Sequence, residues 1–144
     1  MRKNFKFLLP LCLGVLAAVL LPFASCQTDT GSTQTQFYDA GNADISLTGA
    51  QFDQYYLIRV DTSTASHTLA LPSAADIIGS ASSPFVGEIF TLAVAAEGAN
   101  PVHLVAGTNV TLSQYSSTVA GNTTATLYAV FDNVTSGSQS VTIY

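Results

Sequence analysis

From Phe37 to Tyr144 the chain repeats one pattern: short runs rich in Val, Ile, Thr, Tyr and Phe are bounded by Gly, Asn, Asp, Ser or Pro. The first group of residues favours strands and the second favours turns. We predict strands at 44–48, 54–61, 66–71, 87–96, 101–106, 109–113, 117–120, 123–132 and 139–144. The expected fold class is all-β, a single antiparallel β-sandwich or jelly roll of about eight to nine short strands.

The segment TTATLYAVFD, residues 123–132, is apolar on both sides of the predicted strand. Alternate residues of a strand face opposite sides of its sheet. One side therefore carries Ala125, Leu127, Ala129 and Phe131, and the other carries Tyr128 and Val130. A strand with two apolar sides is expected to be central in its sheet or covered on both faces.

One short helical turn is expected at PSAADIIGS, residues 72–80. The Ser73 hydroxyl can accept a hydrogen bond from the Asp76 amide, which caps a helix start, and Gly79 can end the turn. This segment is the one helical candidate in the sequence.

The N-terminal segment has the layout of a secretory signal. Arg2, Lys3 and Lys6 form a positive start, followed by an apolar run at 7–23. This run is short beside the about 20 residues of a membrane-spanning helix. Residues 23–26, FASC, resemble the bacterial lipobox, in which a diacylglycerol is attached to the cysteine sulfur and the chain is cut just before it. We expect lipidation at Cys26, with an uncleaved anchor and plain secretion as the alternatives.

The expected organisation is a lipoprotein signal peptide at 1–25, the lipidated cysteine with a flexible polar tether at 26–40, and the β-sandwich domain at 41–144. Cleavage removes three of the four basic residues, which leaves Arg59 against nine acids and a net charge of −8. An acidic chain of this kind has no electrostatic footprint for nucleic acid or for acidic lipids. Membrane attachment is therefore expected through the lipid.

Cysteine usage and the residue after Cys26 bear on cofactors and location. Loss of Cys12 and acylation of Cys26 leave no thiol for a disulfide or a zinc cluster, so the covalent diacylglycerol is the one group expected. Gln27 is not the acidic residue that retains lipoproteins in the inner membrane of enteric-type bacteria. We expect an exported bacterial lipoprotein, with the outer membrane or the cell surface favoured.

Three stretches of the sequence carry a resemblance to a known domain. They are HTLALPSAADIIGS, VGEIFTLAVAAEGANPVHLVAGTNVTLS and STVAGNTTATLYAVFDNVTSGSQSVTIY. They resemble a β-sandwich domain that recurs in virion structural and fibre proteins of tailed bacteriophages and some giant viruses. The resemblance implies an inert display or assembly module, often trimeric, without an active site. The signal and Cys26 do not belong in a virion component, so a cellular lipoprotein is favoured over a phage-derived virion protein.

The sequence contains little that indicates catalysis. His67 and His103 are in separate predicted strands and are expected to be surface or edge residues. The acids are scattered singly near strand ends, where carboxylates usually accept backbone amides in turns. No nucleophile elbow, phosphate-binding glycine loop or HExxH motif is present. We expect no enzymatic activity and no metal, with calcium at loop carboxylates kept as an alternative.

Two further motifs receive a structural interpretation. The glycosylation-like tripeptides at Asn109, Asn122 and Asn133 are interpreted as turn asparagines followed by β-branched strand residues. Tyr55 and Tyr56 are neighbours in a predicted strand and point to opposite faces, so one of them is expected in the core.

The expected function is structural. A surface lipoprotein whose domain assembles with copies of itself, as a trimer or a filament, is favoured; a glycan- or surface-binding adhesion module is the alternative. The late strands are apolar on both sides and carry few charges, so the contact is expected there. The candidate residues are Tyr128, Phe131, Val141, Ile143 and Tyr144. The closing strand QSVTIY is expected to offer a free edge for pairing.

We predict that Cys26→Ser blocks acylation and leaves the precursor uncut or the protein released, because the Cys26 sulfur is the one atom to which this lipid can be transferred. Growth with radiolabelled fatty acid, followed by purification, measures the label per chain. Label that still enters the variant at the wild-type level would refute the lipidation site.

Overall fold

The computed structural model describes residues 36–114 and 116–144. The predicted signal peptide, the predicted lipidation site Cys26 and the first part of the predicted tether lie outside these residues. The described residues form ten strands and two helices. The strands are β1 Gln36–Asp39, β2 Ile45–Ser46, β3 Tyr55–Val60, β4 His67–Ala70, β5 Ile89–Ala96, β6 Val102–Val105, β7 Val110–Leu112, β8 Thr118–Val119, β9 Thr123–Asn133 and β10 Ser140–Ile143. The helices are α1 Gly49–Gln54 and α2 Ala74–Ser80.

The strands form two sheets, which confirms an all-β sandwich. One sheet has six strands in the order β1-β3-β5-β9-β10-β7, and the other has four in the order β2-β4-β6-β8. Eight of the nine predicted strand segments contain one of these strands completely, and the segment 123–132 covers β9 except for its last residue, Asn133. The tenth strand, β1, was not predicted.

The direction of pairing differs from the prediction. Of the eight strand pairings in the described part, five are parallel, so a purely antiparallel sandwich was wrong. From β1 to β8 the chain alternates between the two sheets. Because the chain leaves for the opposite sheet before it returns, β1, β3 and β5 run in the same direction, as do β2, β4 and β6. The antiparallel pairs involve β8, β9 and β10.

Strand β9 lies between β5 and β10, which confirms the prediction that it is central. On its inner side Leu127, Ala129 and Phe131 are buried, as the alternation predicts. The Phe131 ring stacks on Phe90 of β5, with centroids 5.1 Å apart. On its outer side Tyr128 is 49% exposed, so the described part of the chain does not cover this face.

Helix α2 begins as predicted, because the Ser73 hydroxyl accepts a hydrogen bond from the Asp76 amide at 3.1 Å. The helix runs one residue past Gly79 before it ends. The second helix, α1, was not predicted, although its start carries the capping box of Thr48 and Gln51. A Cβ atom on Gly49 would lie 2.1 Å from the Asp76 carbonyl oxygen, so the two helices meet at a glycine.

Strand β1 places residues 36–40 in the domain, so the predicted tether of 26–40 was wrong for them. Strand β1 pairs in parallel with β3, and the Ala40 amide donates to the Arg59 carbonyl at 2.9 Å. Tyr38 packs against the hydrophobic core. The polar residues before Phe37 conceal this short strand, since two aromatic residues alone make no period-2 pattern.

We predict that Phe131→Ala lowers the free energy of unfolding by roughly 3 to 5 kcal/mol, because it leaves a cavity beside Phe90 in the core. Urea unfolding of both proteins gives the difference. Tyr128→Ala on the exposed side of the same strand is the control and should cost less than about 1 kcal/mol. Equal losses in the two variants would show that the faces of β9 are wrongly assigned.

Candidate functional site

The structure separates the five predicted assembly residues into two groups. Phe131, Val141 and Ile143 are fully buried in the domain's own core, so their prediction as contacts to a second copy was wrong for this fold. The physical reason is the place of β10, which is paired by β9 on one side and β7 on the other and therefore offers no free edge. Tyr128 and Tyr144 lie on the outer face of the six-stranded sheet, 49% and 58% exposed.

Tyr128 and Tyr144 lie directly opposite each other. The Tyr128 amide donates to the Tyr144 carbonyl at 3.1 Å, and the Tyr144 amide donates to the Tyr128 carbonyl at 3.0 Å. On the other side of β9, Ile89 of β5 pairs with Val130, two residues beyond Tyr128. Paired residues of neighbouring strands point to the same side of a sheet. Ile89, Tyr128, Val130 and Tyr144 therefore form one continuous surface, the tyrosine patch.

The turn before β5 borders the tyrosine patch. The Gly87 amide donates to the Phe131 carbonyl at 2.8 Å, which holds this turn against the end of β9. Phe85 and Val86 at its tip are each 61% exposed. The Glu88 carboxylate accepts a hydrogen bond from the Phe85 amide at 3.2 Å, so it closes the turn. Two exposed apolar side chains therefore lie in the turn beside the end of β9.

The opposite end of the outer face is polar, and we call Asp39, Arg59 and Glu97 the polar end. Arg59 Nε donates to Glu97 Oε1 at 2.6 Å, and Arg59 Nη1 lies 3.7 Å from Asp39 Oδ2. The hydrogen bond from Arg59 holds the pKa of Glu97 below its ordinary value. The guanidinium also lies 5.5 Å above the Phe37 ring. These groups are exposed, so the ion pairs orient the side chains more than they stabilise the fold.

His67 is buried in β4, and its prediction as a surface or edge residue was wrong. Its Nε2 lies 2.7 Å from Asn42 Oδ1, and its Nδ1 lies 3.3 Å from Asp44 Oδ1. The loop before β2 supplies both oxygens, which satisfies a ring that the sheet buries. His103 is exposed, as predicted, with Nδ1 3.4 Å from the Thr118 hydroxyl. Both rings thus have structural partners.

The interpretation of the asparagine tripeptides as turns that precede a strand is confirmed at Asn109 and Asn122 and was wrong for Asn133, which ends β9. Asn109 and Asn122 have φ of 59° and 55°, and each precedes a strand. Asn tolerates this left-handed conformation better than other residues with a side chain. Asn133 accepts a hydrogen bond from the Thr135 amide at 2.9 Å, which is an Asx turn.

The tyrosine pair at the start of β3 does not supply a core residue, so that prediction was wrong. Tyr56 is 47% exposed, and Tyr55 is partly buried with its ring centroid 5.3 Å from that of Tyr38. The pair follows α1 directly, at the very start of the strand, where the core no longer covers the sheet. As predicted, the two rings form no common platform.

Among residues 36–114 and 116–144, no three His, Cys, Asp or Glu side chains come together in a group that could hold a metal ion. Neither described helix has the length and apolar character needed to cross a membrane.

We predict that acid weakens the contact between Asp44 and β4. The pKa of Asp44 is lowered, first by the hydrogen bond from the Thr68 amide at 2.7 Å and then by His67. A carboxyl with a depressed pKa stabilises the fold above its unfolded pKa and loses this contribution as the pH falls through its folded value, below about pH 4. Asp44→Asn should therefore be less stable than wild type at neutral pH, and urea unfolding should show the gap narrowing towards about pH 3. A gap that stays constant would contradict this.

The comparisons with known proteins leave the function to be inferred from these surfaces. The chain matches no protein-family model, no curated protein and no solved structure. The resemblance to virion and fibre domains therefore stays a prediction.

Proposed function

We propose that this protein is an exported, lipid-anchored, non-enzymatic surface protein whose β-sandwich domain contacts other copies of itself. The contact surface is the tyrosine patch with its bordering turn. The observation that carries this proposal is the clustering of exposed apolar side chains on the outer face of the six-stranded sheet, at the end opposite Arg59. Apolar clusters of this kind on soluble domains commonly mark contact surfaces.

The size of the surface supports a weak and specific contact. Its five most exposed side chains are Ile89, Tyr128, Tyr144, Phe85 and Val86, each about half exposed or more. Together they offer on the order of 400 Å², against about 800 Å² per partner in an interface of standard size. A contact of this size is expected to be weak between freely diffusing domains. Lipid anchors that hold many copies in one plane raise their effective concentration, so the same contact can then form.

The charges favour a second copy as the occupant. The chain is acidic overall, and copies of an acidic protein repel each other unless their contact surface is uncharged. The tyrosine patch contains no ionisable acid or base apart from its phenols. The acids beside it, Glu88 and Asp132, hold local hydrogen bonds to the Phe85 amide and the Thr142 hydroxyl. These bonds hold both carboxylates at the border of the patch, so the patch itself presents uncharged side chains to a second copy.

The geometry favours two-fold symmetry. Because β10 has no free edge, the closing strand cannot extend a sheet into a neighbouring copy. A sheet face that contacts the same face of a second copy closes as a dimer. If the measured mass corresponds to three chains, it would support the trimer that the resemblance implies and not the dimer.

We predict that residues 27–144 associate at about 100 µM, well above the micromolar range of weak specific contacts, and that Tyr128→Glu or Ile89→Glu returns them to monomers. Each change places a charge in the patch at an exposed position, so the fold should be kept. Light scattering measures the mass, and circular dichroism checks the fold.

Val105→Glu is the matched control. Val105 is 49% exposed on β6 of the other sheet, and its replacement makes the same charge change outside the tyrosine patch. It should leave the association intact. A wild-type chain that stays monomeric at this concentration refutes self-association. An equal loss of association in all three variants refutes the tyrosine patch as the contact.

A further inference from the structure

A shallow depression opens at the polar end of the outer face, where β5 ends and β9 begins. Its volume is about 390 Å³. The lining residues are Ala95, Ala96, Glu97, Gly98, Asn122, Thr123 and Thr124. This volume lies at the lower end of the range of about 300 to 1,000 Å³ for small-molecule sites.

Close backbone contacts fix the shape of the depression in the unbound protein. The Asn122 amide donates to the Gly98 carbonyl at 2.7 Å, which joins the turn after β5 to the turn before β9. A Cβ atom on Gly121 would lie 2.3 Å from the Ala99 backbone, and one on Gly98 would lie 2.3 Å from the Ser63 nitrogen. The turns therefore pack so closely that only glycine fits at positions 98 and 121. A pre-formed site of this kind loses little conformational entropy on binding.

The depression combines hydrogen-bond acceptors and donors at fixed positions. Arg59 holds the Glu97 carboxylate, and the lowered pKa of Glu97 keeps it ionised at neutral pH. A carboxylate has about four lone-pair positions, so it can still accept hydrogen bonds from a ligand. The Asn122 amide group can donate and accept, and so can the exposed Thr124 hydroxyl. Ala95 and Ala96 are buried below these groups and Gly98 is half-buried, so the three residues form a small floor with little exposed area.

We propose that this depression binds one neutral hexopyranose unit of a glycan. Neighbouring sugar hydroxyls can donate to the Glu97 carboxylate and exchange hydrogen bonds with Asn122 and Thr124, while the C–H face of the ring packs on the small apolar residues. An anionic ligand is disfavoured, because Glu97 lies in the wall and Asp39 beside its Arg59 partner. A metal ion is disfavoured, because no three acidic or His side chains meet within the described residues. An apolar ligand is disfavoured, because it would separate the exposed polar groups of Glu97, Asn122 and Thr124 from water.

This site is separate from the self-association surface. Ile89 and Glu97 lie at opposite ends of β5, about 25 Å apart at about 3.3 Å per residue. The patch variant Ile89→Glu should therefore keep its sugar binding. A loss of self-association and a loss of sugar binding can therefore be observed separately, so either proposal can fail without the other.

The test uses the protein expressed from its full chain and purified in mild detergent. The probes are the methyl glycosides of glucose, galactose and mannose, with glucuronic and sialic acid as anionic counterparts. Saturation-transfer NMR is recorded up to about 10 mM, ten times the Kd of about 1 mM expected of a shallow site. We expect at least one neutral glycoside to bind and the anionic sugars to bind at least tenfold more weakly.

Two pairs of variants locate the binding. Asn122→Gly removes the amide but keeps the left-handed turn, and Asn109→Gly makes the same change at the turn before β7. Thr124→Val removes a hydroxyl that lines the depression. Thr126→Val removes the hydroxyl at the next outward position of β9, which is not part of the lining. The first member of each pair should weaken binding at least tenfold, and the second should not. The proposal is overturned if no neutral glycoside binds, if an anionic sugar binds as well, or if Asn122→Gly and Thr124→Val bind like wild type.

Discussion

The packing of β9 between its neighbours is the interaction on which the rest of the domain depends. This strand is central in the six-stranded sheet, and its pairing with β5 extends over eight register positions. Its inner side places Phe131 against Phe90 in the shared core of the two sheets. Because successive residues alternate, burial of this side obliges Tyr128 and Val130 to face outward. The core contact and the proposed contact surface are thus two sides of one strand.

Both proposed surfaces lie on the outer face of the six-stranded sheet. The tyrosine patch lies where β5 begins, and the depression lies where β5 ends. Charged groups are confined to the margins: the single arginine of the described residues joins Asp39 and Glu97 at one end. A surface lipoprotein with both features would hold neighbouring copies at one end of the face and a glycan at the other. The two contacts need not compete.

Glycines allow backbone segments to pack in direct contact where turns and helices meet. Gly49 lets α1 reach the backbone of α2, and Gly98 with Gly121 joins the two turns that form the depression. Contacts at this distance exclude any Cβ atom, so the geometry of the depression is set by backbone rather than by adjustable side chains.

The buried His67 is held by oxygens of a neighbouring loop, which makes it a structural residue instead of a free base.

The sequence by itself determined the local structure: nine of the strand positions, the inner and outer sides of β9, the Ser73 cap and the turns at Asn109 and Asn122. These features depend on neighbouring residues, through alternation, capping and backbone preference. It also contains the capping box of α1, formed by Thr48 and Gln51. Only the tertiary structure decided that β1 joins the sheet, that five pairings are parallel, that β10 is enclosed, and that His67 is buried. The patch and the depression belong to this second group. They are made by residues from strands and turns far apart in the chain, and the choice of partner strand depends on contacts that no short stretch of sequence contains.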